Sequence, residues 1–101
     1  MSIPLSSETL VRVNLLFVEQ DRDEASRLLV TECGNNLPLL KDCDEYRLER
    51  FRFAALKLSN GKIPELKTAI ELAKLDWRDL LVAADFADDV EAHRHWLPTK
   101  G

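Results

Sequence analysis

The sequence predicts an all-α fold: a single compact bundle of five or six short helices, with the segment 44–59 at its centre. Three observations lead there. Glycine (3) and proline (4) are scarce. β-Branched residues form no long alternating run, and apolar residues recur at three- and four-residue spacing through most of the chain. With 101 residues, 46% of them hydrophobic and 32% charged, residues 1–101 read as one domain able to bury a core without disulfides or metal.

The elements follow in order. In "LSSETL", Ser6 as N-cap puts Leu5 and Leu10 at the hydrophobic-staple positions. Leu10, Val13, Phe17 and Val18 then form one apolar stripe, with Asn14 as the polar residue inside it. A buried Asn14 needs hydrogen-bond partners, for which a carbonyl of "GNNLP" is the expected source. The polar run "EQDRDEASR" interrupts the stripe, and Asp21 with Glu24 has capping-box spacing, so a second helix is read from Asp21. One bent helix over 7–33 is the alternative. Ala25, Leu28, Leu29 and Cys33 point inward, and Gly34 with Asn35 supplies the stop.

"NNLPLLKDCD" is the longest connection. The third helix carries Leu48, Phe51, Ala55 and Leu58 on one side and Tyr46, Phe53 and Leu56 towards another, as suits a central helix. Gly61 ends it in a left-handed turn, and Pro64 opens the fourth helix, 64–75, with Leu66, Ala69, Ile70 and Ala73 inside. Asp76 caps the fifth, Asp79 sits at N3, and Leu75 and Leu80 have staple spacing. Trp77, Leu80, Leu81 and Ala84 face the core, broadened by Val82 and Phe86. A short sixth helix begins near Asp88 and stops before Pro98.

Charge narrows the function classes. A net charge of −4 opposes nucleic-acid binding, which needs a basic face to displace counterions. The basic stretch "YRLERFRFAALK" (Arg47, Arg50, Arg52, Lys57) puts these cations on different sides and includes Glu45 and Glu49, so it reads as the solvated margin of the central helix. A helix–turn–helix around "KLDWRD" would read phosphates with "DWRDLLVAADF", whose charge has the wrong sign. No segment approaches the roughly 20 apolar residues that span a bilayer. The N-terminal "MSIPLSSE" has no basic head and no apolar run, so no secretory signal is expected there. Cys33 and Cys43 do not form a disulfide framework, and a cytoplasmic protein with reduced thiols is expected.

The densest chemistry lies in "DDVEAHRHW". Asp89 with His93, and Glu91 with His95, have helical i,i+4 spacing that could hold metal ligands or orient a base. The two pairs, however, point to sides roughly 200° apart. Acids at the start of a helix and bases at its end also match the helix dipole. Neither a catalytic residue, a metal ligand nor a cofactor is therefore assigned. A Cys33–His93 nucleophile pair has nothing specific to support it. Asp76, Asp79, Asp85, Asp88, Asp89 and Glu91 crowd sixteen residues that hold Arg78 as their opposing cation, predicting a negative edge able to steer a basic partner.

"CGNNLPLL", "RFRFAALKLSNG", "DWRDLLVAADF" and "AHRHWLP" together resemble small uncharacterised all-helical bacterial proteins. The resemblance covers about half of the chain and implies a bacterial cytosolic protein. No activity is established for that group, so it carries over no site residue.

The function expected from sequence is a non-enzymatic, soluble protein-interaction module, of adaptor, inhibitor or immunity type, that binds another protein through its acidic edge. The alternative is a small metal-dependent or acid–base enzyme using His93 or His95 with Glu91 or Asp89. A homodimer through paired apolar helix faces is a third reading.

Overall fold

In the computed structural model the described residues are 5–33, 45–88 and 92–98, with the side chains of 45–47 outside the description. They form six helices and no strand: α1 (Ser7–Leu16), α2 (Glu19–Glu32), α3 (Glu45–Ser59), α4 (Ile63–Leu75), α5 (Trp77–Ala83) and α6 (Ala92–His95). α3 is central, packing against α1, α4, α5 and α6, while α2 rests on α1 and α4. The all-α bundle is thus as the periodicity predicts. Gly34, Asn35, Pro38 and Cys43 lie outside the described residues, as do Asp89 and Glu91.

The local signals work where they are local. Ser6 caps α1, its Oγ accepting from the Thr9 amide at 3.2 Å. Asp76 caps α5, its Oδ1 accepting from the amides of Arg78 and Asp79 at 3.0 and 3.4 Å. Pro64 occupies the first turn of α4. Asn60 and Gly61 turn the chain out of α3 with φ of +52° and +78°. At Gly61 glycine is required twice over: a Cβ there would strain the backbone and collide with the Leu16 carbonyl.

Residues 7–33 are two helices rather than one. Phe17 and Val18 are extended, with ψ of 143° and 156°. Arg22 holds the break, its Nε donating to the Phe17 carbonyl and an Nη to the Asn14 carbonyl, both at 3.1 Å. α2 consequently starts at Glu19 with Val18 as an N-cap that makes no side-chain bond. Asp21 is inside the first turn and makes no capping box. Acids at Glu19 and Asp21 favour the helix N-terminus through its dipole, which is why the acidic run looks like a cap.

The core comprises Val13, Phe17, Leu28, Leu29, Cys33, Leu48, Phe51, Phe53, Leu56, Leu66, Ile70, Leu80, Leu81 and Phe86, with several alanines. Leu58 and Trp77, expected there, are half-buried against it. The phase of α1 differs from expectation. Its buried side is Thr9, Arg12 and Val13, while Leu10, Val18 and Asn14 face outward. Both predicted staples fail: Leu10 is 42% exposed and Leu75 85%. Val82, expected to broaden the core, is also exposed.

Arg12 causes the rotation of α1. It is 2% exposed, pairs with Glu8 at 3.0 Å and lies over the Phe53 ring at 4.1 Å. Its Nε donates to the Trp96 carbonyl at 3.1 Å and an Nη to the Arg94 carbonyl at 3.4 Å. A buried guanidinium is tolerable only when its donors meet acceptors, and these carbonyls supply them. Arg12→Met should therefore cost about 3 kcal/mol, because it removes the donors of the partly buried Arg94 and Trp96 carbonyls, the Glu8 pair and the cation–π contact. Urea unfolding followed by tryptophan fluorescence measures this; a loss of about 1 kcal/mol or less would mean that water replaces the guanidinium. Gly61→Ala should cost about 2–3 kcal/mol in the same assay, from positive φ and the collision with Leu16.

Candidate functional site

Two regions hold the sequence-predicted site residues. In the first, α6 turns His93 inward and leaves His95 exposed, so the two histidines part as the helix phase requires. His93 is fully buried, edge-on to Phe53 (centroids 5.3 Å, interplanar angle 66°) and to Phe86 (6.3 Å, 64°). Its Nε2 lies 3.8 Å from Glu49 Oε1, an ion-pair distance for a protonated imidazole and longer than a hydrogen bond. The other Glu49 oxygen accepts from Ser6 Oγ at 2.6 Å, and Ser6 Oγ lies 2.9 Å from Thr9 Oγ1.

The cluster thus runs Thr9–Ser6–Glu49–His93, joining α1, α3 and α6. Nucleophilic catalysis needs the base in contact with the hydroxyl and the carboxylate behind the base. Here the carboxylate stands between serine and histidine, and the serine also caps α1. This order ties three helices together; it does not activate Ser6. Asp89 and Glu91, expected as partners of the histidines, lie outside the described residues. Among the described residues the carboxylate facing His93 comes from α3, and no three His, Cys, Asp or Glu side chains converge as metal ligands.

Nothing in the sequence signals this cluster. Ser6, Glu49 and His93 are 43 and 44 residues apart in turn, and no local spacing links them. Arg12 and Arg52 went unrecognised for the same reason. Arg52 is 2% exposed with its Nε on the Cys33 carbonyl at 3.0 Å. Arg50 donates to the Phe86 carbonyl, and Lys57 Nζ to the Ala84 carbonyl at 2.8 Å. The basic stretch is therefore not a solvated margin: three of its cations bind backbone carbonyls.

The second region is the α5 edge. Asp76, Asp79, Asp85 and Asp88 are all exposed, and none forms an ion pair among the described residues. Arg78, the nearby cation, lies over the Trp77 ring at 5.2 Å. Val82, 63% exposed, shares the outer face of α5 with Asp79 one turn before it. Leu75 stands exposed at the α4–α5 corner. Asp85 adopts φ +66°, a conformation that aspartate accepts more readily than most side chains.

Compared with known proteins, the chain matches no family model, no curated protein and no solved structure.

Cys33, fully buried, has its thiol pushed up to about 12 by desolvation, against the lowering influence of Arg52 and Lys74. That is the opposite of what a nucleophile needs. In a Cys43→Ser background, Ellman's reagent at pH 8 should modify Cys33 only as fast as the chain opens; rapid labelling would contradict its burial. Because the folded pKa is raised, this thiol's contribution to stability is whole below about pH 9 and falls as pH rises towards 12. Denaturation midpoints of Cys33→Ala and its parent should accordingly converge across that window.

Proposed function

We propose that this chain is a non-enzymatic protein-interaction module of the bacterial cytoplasm, in the manner of an adaptor, inhibitor or immunity-type protein. The observation that carries this reading is the α5 edge: four exposed carboxylates that form no ion pair among the described residues, with Val82 and Leu75 exposed beside them. An apolar contact flanked by uncompensated charge is the chemistry of a docking face. The partner that suits it is a basic protein. The polar groups between helices support the same reading, since the exposed Ser6, the half-buried Glu49 and the buried Arg12 and Arg52 fasten helices to one another.

The test replaces Asp79, Asp85 and Asp88 by Asn and leaves the Asp76 cap in place. Cross-linking and affinity capture with the parent chain should recover at least one protein whose recovery drops about tenfold with the triple variant and falls with added salt. Identical recoveries from parent and variant, or no partner for either, would overturn the proposal.

A further inference from the structure

We propose that the groove at the α1–α2 corner binds an amphipathic monocarboxylate, a straight-chain fatty-acid-like molecule with its head at Arg22. The groove is open, has a volume of about 900 Å³, and lies away from the α5 edge in its lining residues. Leu16, Val18, Leu58, Trp96 and Pro98 provide apolar walls. Arg22 and Lys57 are its cations, and Glu19 is its one acid. Apolar walls with a few polar groups that fix orientation are the usual make-up of a small-molecule site.

Charge selects the ligand. In a chain of net charge −4, the two cations of this groove have no carboxylate within ion-pair distance among the described residues. Among the described residues their hydrogen bonds go to backbone carbonyls, Arg22 to Phe17 and Asn14 and Lys57 to Ala84, and Lys57 also lies over the Phe86 ring at 4.9 Å. A guanidinium has five N–H donors and an ammonium three, so both keep donors after these bonds. Carbonyl bonding fixes Arg22 without an ion pair among the described residues, and an anionic head group would complete it with charge-assisted hydrogen bonds, while Lys57 adds positive charge to the groove's border.

Val18 supplies the second, independent indication. It occupies the N-cap of α2, a position that favours Ser, Thr, Asp or Asn, and makes no capping bond. It is nevertheless 63% exposed, so core packing does not account for a valine there. What it does is extend the apolar wall one turn before Arg22, where a hydrocarbon chain attached to an Arg22-bound head would lie. The opposite wall is held in place from inside: Arg12 binds the Trp96 carbonyl, and the Trp96 ring packs 6.3 Å from Phe53 and 6.2 Å from Phe86.

The experiment titrates the intact chain with octanoate below its micellar concentration, followed by amide chemical shifts and, in a Trp77→Phe background, by Trp96 fluorescence. Saturable shifts are expected at 15–22, 57–60 and 96. Octanol, with the same chain and no charge, should bind at least about tenfold more weakly, reflecting the lost charge-assisted bonds. Val18→Glu should abolish binding by placing a carboxylate beside Arg22. Because Val18 is exposed, the variant should melt like the parent, and its circular dichroism verifies folding. Shifts that do not saturate or that map elsewhere, octanol binding as well as octanoate, or a folded Val18→Glu chain that still binds would each overturn the proposal.

Discussion

Cations seated on the carbonyl ends of helices hold this structure together. Each helix ends with carbonyls that have no partner within the helix, and a bundle of short helices has many such ends close to its core. α1, α2 and α5 carry no basic residue in their own last turn. Their ends are served from elsewhere: α1 by Arg22 of α2, the α2 terminus at Cys33 by Arg52, and α5 and its following turn by Lys57 and Arg50. Three of these four donors project from α3. Its central position is thus electrostatic as well as hydrophobic. Arg12 does the same for the α6 segment across the bundle, which is what fixes the phase of α1.

What the sequence reveals follows from this. The caps at Ser6 and Asp76, the turn at Gly61 and the apolar faces of α2 and α4 were legible because each depends on residues a few positions apart. The phase of α1 was not. Hydropathy scores an arginine as outward, and only the distant carbonyls of Arg94 and Trp96, together with the Phe53 ring, make Arg12 an interior residue. Leu10 and Val18 were drawn outward with that rotation and that break. The same limit applies to the polar cluster: the burial of His93 was open from sequence, and its approach to Glu49 depends on how α6 folds back on α3. The exposed carboxylates at 76, 79, 85 and 88 were readable because each is exposed by local helix phase or by turn geometry.

The fastening scheme also determines where charge appears on the surface. Eighteen acids face fourteen lysines and arginines in the chain, a modest excess on paper. Arg12 and Arg52 are withdrawn almost completely from solvent, and Arg50 and Lys57 are partly covered while bound to carbonyls. Carbonyls carry only partial negative charge, and neither Arg50 nor Lys57 forms an ion pair among the described residues, whereas Arg12 pairs with Glu8. The α5 edge therefore keeps carboxylates without an ion pair although Arg50 and Lys57 reach the carbonyls of residues 84, 86 and 87 beside it.

Arg22 and Lys57 extend the reasoning to the groove. Both are recruited by helix ends, Arg22 at the end of α1 and Lys57 at the end of α5, and both side chains line the open space beside Trp96. A helix end that borders solvent leaves its clamping cation on the surface, whereas one that borders the core buries it, as Arg52 shows. The same interaction that closes the bundle at Cys33 thus leaves positive charge displayed at the α1–α2 corner. The protein presents a cationic, apolar-walled groove and an acidic edge because one fastening rule is applied at helix ends with different surroundings.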